Sequence, residues 1–225
     1  MHFFKPFTIA ILCVLTGLRS VCQDDYKYAN VDNKFYISIS PGGFIDYKDG
    51  SSIRLSADAR VYKNIALSIE AGFYTSFGNV FSYKTDPRGF LIKPCIKVYF
   101  DKKSNGGYIG LEYQYKRQTY TEYDSIDISR TSRYGKTYGI TRYVNCINAK
   151  YGELKNITKR IIWEWYVGAG IRFFNSFTDL SQDEYDGILR GESRYNTTGG
   201  GYSARVIGRH VYPNITIGIK LGVRL

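Results

Sequence analysis

Residues Pro213–Leu225 read PNITIGIKLGVRL. Ile215, Ile217, Ile219, Leu221, Val223 and Leu225 fall on one side of an extended chain, and Asn214, Thr216, Gly218, Lys220, Gly222 and Arg224 on the other. Side chains alternate across a strand, so this period of two predicts a strand with one apolar and one charged face. The chain ends on that strand, so its free edge must find a partner. Pairing with the first strand of a closed sheet supplies one.

The same alternation recurs in eight segments. The clearest, IIWEWYVGAGIRFF, sets Trp163, Trp165, Val167, Ala169, Ile171 and Phe173 against Glu164, Tyr166, Gly168, Gly170, Arg172 and Phe174. FLIKPCIKVYF sets Phe90, Ile92, Ile96, Val98 and Phe100 against Lys93, Cys95, Lys97 and Tyr99, and IALSIEAGFY sets Ile65, Leu67, Ile69, Ala71 and Phe73 against Ser68, Glu70, Gly72 and Tyr74. The remaining strands are expected near Lys34–Tyr47, Ile53–Tyr62, Tyr108–Tyr120 and Tyr138–Tyr151. Strong helix signals are hard to find, and 22 Tyr with 23 Gly favour strands.

Connections alternate in length. Lys63–Asn64, DKKSNGG and GELKNITKR are short; Thr75–Gly89, Asp124–Lys136 and Asn175–Gly201 read as long loops. Lys48–Ser52 is the brief member of the second set. Short turns on one side and long loops on the other are the habit of outer-membrane barrels. The segment NTTGGGYS, Asn196–Ser203, reads as a flexible part of the last loop. No linker or second domain is evident.

Met1–Cys22 reads as a cleaved secretory signal, with Lys5 before an apolar run of about a dozen residues and Ser20 and Cys22 at the cut. Residues 23–33 then form a short periplasmic segment, and 34–225 the barrel. The net charge of +11 falls to about +9 without Lys5 and Arg19. A basic exported protein can meet anionic membrane phosphates. No polybasic run points to nucleic acid. Cys95 and Cys146 sit on strands separated by a third, beyond disulfide reach.

Period alone does not say which face is inside, because a soluble lipocalin-like ligand-binding barrel has the opposite polarity. The glycines decide. Gly72, Gly110, Gly168, Gly170, Gly218 and Gly222 lie on the charged face, where a narrow lumen needs small residues beside long ones. The apolar face carries Trp163, Trp165 and Phe100 towards the short turns, and Phe73, Phe90 and Phe173 towards the long loops. That is the arrangement of two interfacial aromatic girdles.

On this pattern, over Lys34–Leu225, the chain resembles the small eight-stranded outer-membrane β-barrels of the OmpA/OmpX-like type. The resemblance implies an all-β, antiparallel, up-and-down transmembrane barrel in a Gram-negative outer membrane. It also implies outer-membrane lipid and lipopolysaccharide as surroundings and the barrel assembly machinery as a partner in biogenesis. Leu225 stands where such families commonly end on an aromatic residue. Pro41, beside Gly42–Gly43, suggests a bulge; Pro213 is expected at the outer rim. Pro94, near mid-strand, has no account in the sequence.

The inward face is expected to hold Arg54, Asp58, Arg60, Glu70, Lys93, Lys97, Glu112, Lys116, Glu164, Arg172 and Lys220. Crowded charges in a narrow lumen must pair, which predicts a plugged, salt-bridged interior over a narrow pore. No catalytic, metal or cofactor site is expected. His210 is the one candidate acid–base group, and some barrels of this size modify lipid A. Their histidine has a serine two residues on, where this chain has Tyr212. Asp179, Asp183, Glu184, Asp186 and Glu192 fit no EF-hand spacing and read as a solvated loop. Tyr123, Arg130, Arg133, Tyr134 and Tyr195 would suit contact with lipopolysaccharide or another extracellular ligand. The expected role is therefore structural or surface interaction, without catalysis.

Overall fold

A computed structural model describes residues 35–42, 51–76, 84–100, 106–129, 132–158, 160–195 and 206–225. The expected signal and periplasmic segment, residues 1–33, lie outside these, as do Arg130 and Asn196–Ser203. Eight antiparallel strands close into one ring in sequence order. They are β1 Phe35–Ile39, β2 Ser52–Tyr62, β3 Ile65–Tyr74, β4 Thr85–Tyr99, β5 Gly106–Ser129, β6 Ser132–Asn156, β7 Ile161–Thr178 and β8 Gly208–Arg224. One helix, α1, spans Gln182–Tyr195.

The ring closes through Tyr36–Ile39 on β1 and Leu221–Arg224 on β8, and the Leu225 amide donates to the Phe35 carbonyl. Register around the ring can be followed residue by residue. Leu221 lies opposite Ile39, then Leu55, Ala71, Ile92, Tyr115, Asn145, Phe173 and finally Val211. One circuit thus returns to β8 ten residues from its start, at Val211 rather than Leu221. With a rise of about 3.3 Å and strands about 4.8 Å apart, this stagger tilts eight strands by about 40° and makes a ring about 16 Å across. A ring that narrow is filled by its own side chains.

Alternation then sorts the residues. The outward face is apolar and bare: Ile215 is 76% exposed, Ile217 77% and Phe73 69%. The inward face buries the polar set, with Asp58, Glu70, Lys93, Lys97, Glu112, Lys116, Glu164 and Lys220 all nearly inaccessible. Phe90 and Phe100 lie on one outward strand face, and so do Trp163 and Phe173. Each pair is ten residues apart. Ten residues on strands tilted by about 40° rise about 25 Å along the axis, the height of the apolar band in outer-membrane barrels.

Several boundaries differ from the sequence expectation. The segment Asp124–Lys136 is not a loop. β5 and β6 stay paired from Gly106↔Leu154 to Ser129↔Ser132. Flanking pairing ends at Thr85↔Thr121 and Ile140↔Thr178, so the hairpin projects past the described strands beside it. Asp and Ser weaken a strand signal, yet cross-strand pairing continues through them. The acidic segment of the last connection is α1, not a loop. Ser181 and Glu184 form a reciprocal cap: the Ser181 amide donates to Glu184 Oε2 at 2.9 Å, and the Glu184 amide to Ser181 Oγ at 3.4 Å. β1 stops before a turn at Pro41–Gly42, and the rest of the expected first strand, residues 43–47, lies outside the described residues. Pro94 sits opposite Ile69 on β3. Towards β5, pairing lapses between Ile92↔Tyr115 and Cys95↔Glu112 and resumes in unchanged register. The ladder absorbs one missing donor there. Pro213 lies within β8, not beyond it, opposite Ile171 and exposed. The described pairing of β8 with β1 runs from Leu221 to Arg224.

Candidate functional site

The lumen is layered. At the short-turn end Tyr36, Ala66, Tyr99, Tyr108, Leu154 and Ile162 form a buried cluster. Six strands each contribute one residue at this end of the ring, so the layer crosses it. Gly152 makes room for it. A Cβ there would stand 2.6 Å from the Tyr108 hydroxyl.

Immediately above lie the ion pairs. Lys97 Nζ donates to Asp58 Oδ1 at 2.6 Å and to Glu164 Oε2 at 2.8 Å, and the Tyr108 hydroxyl donates to Glu164. Lys93 and Lys220 both stand 3.1 Å from the Glu70 carboxylate, which also accepts from Ser40. Lys150 pairs with Glu112, and the chain continues from Glu112 through Asn148 to Asn214 at 3.2 and 2.8 Å. These contacts draw on seven strands, β2 to β8, which is what lets charges this deep persist. Arg54, Arg60 and Arg172 also face inward but are only half-buried; Arg60 lies 5.5 Å from the Tyr99 ring and Arg172 5.8 Å from Phe174. Lys116 is buried 5.7 Å from the Tyr74 ring. The structure adds Lys150, Asn148 and Arg142, on β6 where alternation is least clean in sequence. Tyr74, Tyr99 and Tyr166 are buried on the charged face where alternation sets them, and the structure adds Tyr36 and Tyr108 to the lumen.

Towards the long-loop end the lumen mixes apolar clusters with buried polar groups, Lys84, Gln118, Glu122 and Arg142 among them. Val144, Cys146, Phe174 and Val206 cluster, with Arg142 over the Phe174 ring at 4.7 Å and bonded to Ser176 at 2.7 Å. Higher still, Ile188 of α1 packs with Tyr120, Ile126, Tyr138 and Ile140 on the inner side of the hairpin, joined by Leu180 and Ile207. Gly187 permits the approach: a Cβ there would lie 2.8 Å from Ile126 and 2.9 Å from the Asp127 carbonyl. Glu184 fastens the helix by accepting from Lys136 Nζ at 2.6 Å and the Tyr134 hydroxyl at 2.8 Å. The Lys136 bond, then the Ser181 and Tyr134 bonds, hold the Glu184 carboxyl down to about 2.

No family model, curated protein or solved structure matches the chain. The arrangement of side chains is therefore what bears on activity. His210 Nε2–H donates to the Ile207 carbonyl, 2.8 Å away, and the ring packs against Phe174 and Tyr212. Among the described residues no serine, cysteine or carboxylate bonds to it. The acidic residues in and before α1 are dispersed by the fold: Asp179, just after β7, accepts from the Gly139 amide and Asp186 from Gln182. Among the described residues no group of three potential ligands is poised for a metal. Cys95 and Cys146 are free thiols, both buried. Tyr123 is 68% exposed on the hairpin, and Arg133 and Tyr134 are exposed on its other strand. The six aromatics expected to form girdles all face outward, Phe73, Phe100 and Phe173 exposed and Phe90, Trp163 and Trp165 half-buried by neighbours.

Proposed function

We propose that this chain is a non-enzymatic outer-membrane β-barrel whose interior is structural and whose surface role is carried by the projecting β5–β6 hairpin and α1. The observation that carries the reading is inverted burial: charged side chains fill the ring while aliphatic ones cover its outside over about 25 Å between aromatic girdles. In water such an exterior would aggregate; in a bilayer it is the favoured surface. A lipocalin-like pocket needs the reverse polarity. The apolar, tyrosine-rich layer at the short-turn end opposes a steady ion path, and among the described residues no serine or cysteine bonds to His210 to serve a lipid A hydrolase as nucleophile. A rigid hairpin held away from the membrane, buttressed by a capped helix, suits contact with an extracellular ligand or with lipopolysaccharide.

The test is heat-modifiability in an isolated outer-membrane fraction. A membrane-bound band that shifts on boiling in SDS is expected. A soluble protein without a shift refutes the reading. Replacing residues 122–139 by a short turn should leave the shift intact and remove surface binding.

A further inference from the structure

The outward face is not uniformly apolar. On β5 and β6 its aliphatic residues give way, towards the long loops, to Tyr113, Tyr115, Arg117, Tyr143 and Asn145. Arg117 lies opposite Tyr143 and Tyr115 opposite Asn145. The Arg117 guanidinium stands 5.7 Å over the Tyr143 ring, and the Tyr113 hydroxyl donates to Asn145 Oδ1 at 2.6 Å. Arg117 is exposed and forms no ion pair among the described residues, whereas nearby Arg88 is held by Asp86 at 2.8 Å. The Asn145 amide nitrogen likewise has no acceptor among them.

The level of this patch follows from register. Arg117 faces Phe90 on β4 and Asn145 faces Phe173 on β7. Both are girdle residues of the long-loop end. In a membrane this is the depth where acyl linkages meet the phosphate layer, and amide donors left facing hydrocarbon there are costly. Below the patch, Ala149 and Ala169 lie opposite each other between Tyr151↔Val167 and Ile147↔Ile171, leaving a shallow trough in the outer surface.

We propose that this patch is a binding site for a phosphorylated glycolipid of the outer leaflet. Arg117 pairs with its phosphate, held in place by the Tyr143 ring. The Asn145 amide donates to the carbonyl of an acyl linkage, and one acyl chain lies along the Ala149–Ala169 trough. The occupant is the outer-leaflet glycolipid because the patch is at the long-loop end. The inference rests on the membrane reading.

The test uses full-length protein in detergent micelles, checked for heat-modifiability in the same preparation, and native mass spectrometry with bisphosphorylated lipid A as probe. One lipid A per chain is expected. Arg117→Gln should weaken retention roughly tenfold, the scale of losing one charge-assisted contact, with Arg88→Gln unchanged. Dephosphorylated lipid A should bind the wild-type chain as poorly as the intact lipid binds Arg117→Gln. With the band shift present, equal retention by wild type and Arg117→Gln refutes the site. So does equal retention of lipid A and its dephosphorylated form, or of lipid A and phosphatidylglycerol. Absence of the band shift refutes the membrane reading and the site with it.

Discussion

Replacing Lys97 with Met tests whether the lumen charges act as one structural unit. Lys97 is 2% exposed and is the common partner of Asp58 and Glu164, at 2.6 and 2.8 Å. Met keeps the volume and removes the cation. Two carboxylates are then left near each other above an apolar layer, Glu164 bonded only by Tyr108 among its nearest partners. Stranding one partner of a buried pair costs about 3–5 kcal/mol. Here two are stranded, so the upper end of that range is expected, a large part of the roughly 5–15 kcal/mol that stabilises a typical domain. Urea unfolding in lipid vesicles, followed by emission of Trp163 and Trp165, measures it. The triple variant Asp58→Asn, Lys97→Met, Glu164→Gln removes all three charges and should recover most of the loss, because neutral groups do not carry the same burial cost. A Lys97→Met loss below about 1 kcal/mol, the range of exposed pairs, would mean that water screens the site and that the lumen is not sealed.

Gly218→Val places a side chain where the Tyr166 hydroxyl lies, so unfolding should shift by about 1–3 kcal/mol, and Tyr166→Ala in the same chain should recover part of it. Glu184 titrates near 2 against an ordinary value of 4.5. A depressed carboxyl stabilises above its unfolded value, so its hold on α1 is complete above pH 4.5 and is lost as pH falls towards 2. Protection factors of the α1 amides, which take out the intrinsic slowing of exchange in acid, should fall over that window in the wild type, and Glu184→Gln should show low protection already at pH 7. Deleting residues 182–195 should leave planar bilayers silent, because the Tyr36–Tyr99–Tyr108 layer closes the opposite end; stable conductance steps would refute that closure. Cys95 and Cys146 should resist maleimide until the protein is boiled, since both thiols are enclosed by the ring.

Strand periodicity was readable because each side chain of a half-buried strand reports its own face. The alternation along Ile161–Phe174 and Ile215–Leu225 survives intact in β7 and β8. The glycine-bearing face proved to be the inner one because Tyr108 and Tyr166 occupy the space opposite Gly152 and Gly218. The helix α1 was harder. Its Ser181–Glu184 cap is present in sequence, but Gly187 inside it and four acidic residues around the cap read as a loop. Only the fit of Gly187 against Ile126 shows why a glycine belongs there.

What the sequence by itself determined is therefore the local and periodic part: strands, their two faces and the aromatic residues of the outward face. Tertiary structure decided what depends on distant segments meeting. The ten-residue stagger sets which inward residues share a level, so Asp58, Lys97 and Glu164, from three different strands, become one ion-pair group. The same closure gathers tyrosines from separate strands into a plug. Continued pairing past the neighbouring strands turns a polar stretch into a hairpin. None of these is encoded in any single window, because each arises from register, and register is fixed only when the ring closes.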